Sequence, residues 1–206
     1  MTITPASVSA IAEMIGDTPE VTMMIGIGLQ KESDAVYFQY MGDDQTQALM
    51  LPSGNPVTRL QNIRVVGLSV AEEVGTFKST KLNVIIESTN GTQVMLTSGL
   101  TTLWSQFLIC GLSALYNEYG LDQAVTLNTW KGTSSMRPCF AAIYQDKERL
   151  VDDQLKTQLQ DARSDRDQVK VLAIMRDTVG LLSQALGGSD VIQADVSVDE
   201  PVTDLF

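Results

Sequence analysis

Hydrophobic and polar positions alternate in short runs through the middle of the chain. Five such runs, rich in Val, Leu and Ile, predict β-strands over 64–70, 81–87, 92–97, 124–130 and 139–144. Between the third and the fourth run, apolar residues at i, i+3, i+4 and i+7 predict a helix over 100–119. Asn90-Gly91 predicts a tight type I′ turn between the second and third strands, because that turn needs positive φ at both central positions.

The flanks of this central part carry their own periodic runs. Residues 8–15 have helical spacing, and residues 21–29 and 35–41 alternate like two strands. After residue 145 charged and amide side chains dominate, and residues 169–186 then show an amphipathic helical pattern. We therefore expect four parts, namely an N-terminal helix and β-hairpin extension over 1–58, a five-stranded unit over 59–149, a helical segment over 150–188 and a tail over 189–206.

The order strand, strand, strand, helix, strand, strand resembles the OB-fold, a five-stranded Greek-key barrel. The resemblance implies a mainly β protein with helices (α+β), in which the helix between strands three and four plugs the barrel. Trp104 and Phe107 on that helix are then expected in the core. The resemblance also implies a binding surface on one sheet face and on the loops between strands one and two and strands four and five.

The composition allows a globular core, since 44% of the 206 residues are apolar. The net charge of -11 argues against a protein coated in basic residues, such as a histone-like DNA packager. The charge is unevenly distributed, because residues 59–149 are close to neutral while residues 1–58 and 150–206 are both strongly acidic. This asymmetry indicates a binding core with acidic appendages.

The residue types limit the chemistry. The chain has no histidine, which removes histidine bases and the commonest zinc ligand. Cys110 and Cys139 lie in apolar runs, and we interpret them as buried free thiols of a reducing compartment, with a disulfide as the alternative. Asp43-Asp44 is either a metal-binding carboxylate pair or part of a solvated loop. We expect no cofactor and no membrane span. We also expect a cytoplasmic location, because the N-terminus lacks a signal-peptide pattern.

The candidate nucleic-acid site combines aromatic side chains, on which bases stack, with cations that contact phosphates. Trp130 shares its side of the fourth predicted strand with Thr126 and Asn128, so it is either a stacking platform or partly buried packing. The residues that join it in this predicted site are Phe77, Lys78, Lys81, Lys131, Arg137, Arg64 and Arg59.

The tail over 189–206 has five acids and no base, a composition typical of disorder. An acidic segment with an apolar tip suits capture by a basic-rimmed apolar pocket on a partner. With the predicted barrel, it resembles the bacterial single-stranded DNA-binding protein family, whose acidic tail recruits enzymes of replication, recombination and repair. The resemblance implies a homo-oligomer that binds single-stranded DNA without sequence preference. The residues implied in partner binding are Asp199, Glu200, Asp204, Leu205 and Phe206.

Two other classes of function stay open. A structural or adaptor subunit of a phage or other multi-protein assembly would use the barrel for protein contacts, which the near-neutral barrel and acidic flanks favour. An enzyme without histidine would need carboxylates with a metal, or a lysine. No adjacent acid pair has a recognisable catalytic context, so we expect a protein that is not an enzyme.

Overall fold

A computed structural model describes residues 23–41, 45–75 and 78–187. The strands are β1 (Met24–Ile27), β2 (Tyr37–Tyr40), β3 (Thr46–Ala48), β4 (Arg59–Val74), β5 (Ser79–Ser88), β6 (Gln93–Gly99), β7 (Val125–Lys131), β8 (Cys139–Gln145) and β9 (Glu148–Leu150). The helices are α1 (Leu103–Glu118), α2 (Asp153–Ser164) and α3 (Gln168–Ala185). The helix predicted over 8–15 and the predicted tail lie outside the described residues.

The strands form one open mixed sheet, and the predicted OB-like five-stranded barrel is wrong. The sheet order is β3-β2-β1-β6-β5-β4-β7-β8-β9, and only β1 and β6 run parallel. The predicted succession of three strands, one helix and two strands is present as β4 to β8 with α1. Closure of those five strands would require β6 to pair with β8. The free side of β6 is instead occupied by β1, and that of β8 by β9.

The described helices cover one face of the sheet, and the opposite face, which we call the open face, is exposed at several positions but buried at Phe38. On β5, Leu82, Val84 and Ile86 are buried toward the helices, whereas Lys81 and Ile85 lie on the open face. Helix α1 fits this arrangement because its apolar stripe is wide, and ten of its residues are buried. Trp104 is only 1% exposed and Phe107 packs against the core, as expected for both.

The two ends of the sheet curl toward each other around α1. In a flat sheet β2 and β7 would lie about 24 Å apart, since neighbouring strands are spaced by about 4.8 Å. The hydroxyl of Tyr37 on β2 nevertheless makes a 2.7 Å hydrogen bond with Thr129 on β7. The backbone N–H of Val57 donates to the carbonyl of Leu49 at 3.0 Å, which joins the chain after β3 to the chain before β4.

Local signals fix the turns and the helix ends. The β5–β6 turn lies where predicted, but it is a longer loop than a type I′ turn. The N–H of Gly91 donates to the carbonyl of Ser88, and Gly91 has a φ of 82° whereas Asn90 is not in the left-handed region. The three helices each begin after a side chain that caps a backbone N–H, namely Thr102, Asp152 and Asp167.

The two cysteines do not form a disulfide. Cys110 and Cys139 are free thiols, and burial raises the pKa of the Cys110 thiol to about 12. A thiol with so high a pKa is a poor nucleophile at neutral pH.

Among the helices that the structure describes, none combines the length and the apolar character needed to cross a bilayer.

Candidate binding surfaces

Lys131, a predicted phosphate contact, is used inside the molecule. Its ammonium donates to the backbone carbonyls of Gln30 at 2.7 Å, of Lys31 at 3.4 Å and of Ser33. These carbonyls belong to the loop between β1 and β2, which therefore folds against the end of β7. The cation is partly buried beneath this loop and is not presented to a ligand.

Arg137 holds the same loop from the β7–β8 connection. Its guanidinium is paired with the carboxylate of Asp34 and also donates to the carbonyl of Glu32 at 3.4 Å. The hydrogen bond and the charge of Arg137 hold the pKa of Asp34 below its usual range. Lys131 and Arg137, the two predicted cations at the β7–β8 connection, thus both act as clamps on the β1–β2 loop.

Trp130 lies on the open side of β7, as the period of two predicts. The inward residues Val125, Leu127 and Thr129 are buried, whereas Trp130 is 39% exposed. Its ring stacks on Phe140 of β8, with centroids 5.8 Å apart and an interplanar angle of 21°. Arg59 pairs in register with Asn128, two residues before Trp130 on the same side of the sheet. One face of this aromatic pair therefore stays available to a ligand.

The other predicted cations lie far from Trp130. Lys81 is in register with Ala71, near the tip of the β4–β5 hairpin, whereas Arg59 is at the start of β4. Twelve residues of extended chain separate these positions, or about 40 Å at 3.3 Å per residue. Lys78 lies in the hairpin turn itself, and Phe77 is outside the described residues. The predicted site is therefore not one continuous surface.

Arg64 has an acidic partner on the neighbouring strand. Its guanidinium is 2.6 Å from the carboxylate of Glu87, which also accepts a 3.1 Å hydrogen bond from the amide of Gln93. The hydrogen bonds from Gln93 and Arg64 hold the pKa of Glu87 below its ordinary value. Arg64 thus brings no unpaired positive charge to the predicted site.

The open face carries an apolar stripe that runs across four strands. Ile85 on β5 is in register with Met95 on β6, and Met95 with Met24 on β1. Tyr40 continues the row on β2. Met24 and Tyr40 are 40% and 38% exposed, whereas Ile85 and Met95 are half-buried. We call these four residues the open-face stripe.

A glycine of β4 shapes the adjoining end of the open-face stripe. A Cβ added to Gly67 would lie 3.2 Å from Cδ1 and 3.3 Å from Cβ of Ile85. The side chain of Ile85 therefore rests flat on the backbone of β4, which a larger residue would prevent. The sequence contained a signal for this surface. Ile85 is apolar, although it lies on the side of its strand where the alternation otherwise places polar residues such as Lys81 and Asn83.

A second apolar surface is a cleft between α1, α2 and the β8–β9 edge. Its enclosed volume is small, about 30 Å³, and Phe107, Leu150 and Leu159 are among the apolar residues that line it. Arg149, Lys156 and Arg163 stand at its rim, and no lining residue is acidic. We call it the basic-rimmed cleft. Sequence reasoning missed it because its walls come from three separate segments.

The structure gives no support to a metal or catalytic centre in the residues it describes. No group of three or more metal-ligating side chains occurs in 23–41, 45–75 or 78–187, and Asp43 and Asp44 are outside these ranges. The carboxylate of Asp152 accepts hydrogen bonds from the N–H of Leu155 at 2.9 Å and from Ser113 at 2.6 Å. Asp152 is thus the cap of α2.

Comparison of the chain with family models, with curated proteins and with solved structures gives no match. The resemblance to single-stranded DNA-binding proteins therefore stays a prediction.

Proposed function

We propose that this protein is a structural subunit, not an enzyme, that associates with a second copy of itself through the open-face stripe. The observation that carries the proposal is the row formed by Ile85, Met95, Met24 and Tyr40. This row spans about 14 Å across the sheet, since its four strands are separated by three spacings of about 4.8 Å. The described helices pack on the opposite face. Met24 and Tyr40 are exposed and Ile85 and Met95 are half-buried, and an apolar surface of this kind on a sheet face is a candidate interaction site.

Charge favours this face as the contact between two copies. Each chain carries a net charge of -11, so two copies repel one another over most of their surface. Among the described residues, those with charged side chains beside the open-face stripe are the mutually paired Arg64 and Glu87 and the basic Lys81. The repulsion is therefore weakest here, and a two-fold axis would bring the same apolar row of both copies together.

The proposal is tested by sedimentation velocity of the full chain across a concentration series. We expect the wild-type protein to form a dimer, and the change Met24→Glu to raise the dissociation constant by about tenfold or more, because a charge would be buried in the contact. Met136→Glu is the matched control. Met136 is 74% exposed in the β7–β8 loop, away from the stripe, so its change should leave the dimer intact.

Two results would contradict this function. One is a wild-type chain that stays monomeric at about 100 μM, a concentration at which even a weak dimer is populated. The other is a Met24→Glu dimer as stable as the wild-type dimer. Circular dichroism of both variants separates a lost contact from a lost fold, and Met24 is the first residue of β1, where a polar substitution is tolerated best.

Single-stranded DNA binding is a second candidate, favoured by the exposed ring of Trp130 beside Arg59. In this reading bases stack on Trp130, and Asp199, Glu200, Asp204, Leu205 and Phe206 recruit partner proteins. Anisotropy of a labelled oligo-dT of about 30 nucleotides tests it, since stacking sites bind such strands in a salt-dependent way. Binding that Trp130→Ala abolishes would support this candidate. No binding at low salt would eliminate it.

A further inference from the structure

The basic-rimmed cleft has a chemistry that selects its ligand. Its floor is apolar, with Phe107 from α1 and Leu150 and Leu159 from the neighbouring elements. Its rim is positively charged on the side of α2 and β9. A ligand that satisfies both parts combines carboxylates with large apolar side chains. An acidic peptide with an apolar end has this composition.

The charge at the rim is available for such a ligand. Within the described part of the chain, neither Arg149 nor Arg163 has an acidic side chain within ion-pair distance. Both are exposed. Lys156 is 3.4 Å from Asp153, whose own side chain is 85% exposed, so this pair is loose and screened by solvent. Arg149 and Arg163 are thus available to bind carboxylates through the bidentate hydrogen bonds that guanidinium groups favour.

We propose that residues 189–206 of the same chain bind in the basic-rimmed cleft. This segment has five acids and no base, and it contains the apolar pair Leu205 and Phe206. It therefore combines the negative charge and the apolar groups that the cleft selects. The carboxylates of Asp199, Glu200 and Asp204 would contact Arg149 and Arg163, while the apolar pair packs over the apolar floor of the cleft.

The geometry allows the segment to reach the cleft of its own molecule. Ala185 and Leu186, at the end of α3, line the same pocket as Tyr116 of α1. From Tyr116 to Phe107 is nine residues of the same helix, or about 14 Å at 1.5 Å per residue. The eleven residues from Gly188 to Asp199 span up to about 36 Å when extended. The path is thus long enough even if the chain has to pass around α1.

Tethering makes a weak site sufficient. A segment joined by a short linker meets its site at an effective concentration of the order of millimolar. A site with a dissociation constant of about 0.1 mM would then be filled about nine-tenths of the time. The backbone amides of the segment should consequently exchange about tenfold more slowly than in a free peptide. Intramolecular binding also predicts that this protection does not change with protein concentration.

Rapid hydrogen exchange read by mass spectrometry on the full chain tests the proposal. We expect amides of residues 195–206 to be protected about tenfold at low salt, and this protection to be lost in Arg149→Glu/Arg163→Glu. The double variant Arg166→Glu/Lys170→Glu is the matched control. It makes the same charge change at exposed positions that do not line the cleft, and it should keep the protection.

Changes in the segment itself give an independent arm that cannot unfold the sheet. Leu205→Ser/Phe206→Ser and Asp199→Asn/Glu200→Gln/Asp204→Asn should each abolish the protection. Exchange of the wild-type segment at the rate of the free synthetic peptide would overturn the proposal. So would protection that survives Arg149→Glu/Arg163→Glu, or protection that rises with protein concentration, which would place the segment in the cleft of another molecule.

Discussion

The two sides of β7 differ in what they do for the protein. On the covered side, Thr129 is 1% exposed, hydrogen-bonds with Tyr37 and accepts from the indole N–H of Trp104 at 3.0 Å. Lys131, on the same side, holds the β1–β2 loop. On the open side Trp130 only stacks on Phe140. The polar residues of this strand therefore hold distant parts together, while its largest apolar residue faces solvent.

The largest effect should come from Thr129→Val, which keeps the shape of the side chain but removes its hydroxyl. The Tyr37 hydroxyl and the Trp104 indole N–H would both lose a buried partner. Burial raises the pKa of Tyr37, so the phenol stays neutral and cannot escape the penalty by ionising. We expect a loss of about 3 kcal/mol in the free energy of unfolding, measured by urea denaturation.

Thr126→Val is the matched control for this change. Thr126 lies on the open side of the same strand, so the free energy of unfolding of Thr126→Val should stay within about 0.5 kcal/mol of the wild-type value. A Thr129→Val protein less than about 1 kcal/mol weaker than the wild type would show that the hydroxyl does not hold the two sheet ends together.

The next effect should come from Lys131→Met, which keeps the apolar stem and removes the ammonium. Three carbonyls of the β1–β2 loop would lose their donor, and we expect a loss of about 2 kcal/mol. Hydrogen exchange should locate the change, with faster exchange in residues 28–36 and little change in β5 and β6. Lys170→Met, at an exposed position of α3, is the control and should leave both stability and exchange unaltered.

Trp130→Ala should have a smaller effect on stability than either covered-side change. The ring is more than a third exposed, and stacking on Phe140 contributes about 1 kcal/mol beyond area burial. Thermal unfolding followed by circular dichroism measures it, with Trp104→Ala as the contrast in which a fully buried ring is removed. The comparison of the two sides would fail if Trp130→Ala destabilised the protein more than Thr129→Val.

The local parts of the fold followed from the sequence because short-range physics decides them. The alternation in β5 and the stripe of α1 needed only the periods of two and of 3.6 residues. The side of the strand on which Trp130 lies was predicted from the same period. The position of the β5–β6 turn came from Asn90-Gly91, although its length did not.

The long-range parts did not follow, because their determinants are far apart in the chain. Lys131 was predicted to bind phosphate, but its partner Ser33 is 98 residues earlier. Nothing near Lys131 in sequence announces that contact. The barrel was wrong for a similar reason, since it required the edge of β6 to pair with β8, and β1 occupies that edge. Local alternation shows which face a residue joins, but not which strand lies beside it.

The smallest effect should come from Arg137→Ala, the second clamp on the β1–β2 loop, and it should depend on pH. Arg137 holds the pKa of Asp34 below its ordinary value of 3.8, so the folded state gains from the ionised carboxylate. A depressed carboxyl pKa stabilises the fold above the unfolded value, and the gain is lost as the pH falls through the folded value.

The melting temperature of Arg137→Ala should therefore lie about 2 °C below that of the wild type at pH 6, as for an exposed ion pair. The difference should shrink below about pH 4 and largely disappear once Asp34 is protonated in both states. Asp34→Asn should reproduce the effect, and adding Arg137→Ala to it should cost little more. Arg166→Ala, at an exposed position between α2 and α3, should show no such pH dependence. A difference that stays constant down to pH 2 would mean that Arg137 acts through the Glu32 carbonyl and not through the Asp34 carboxylate.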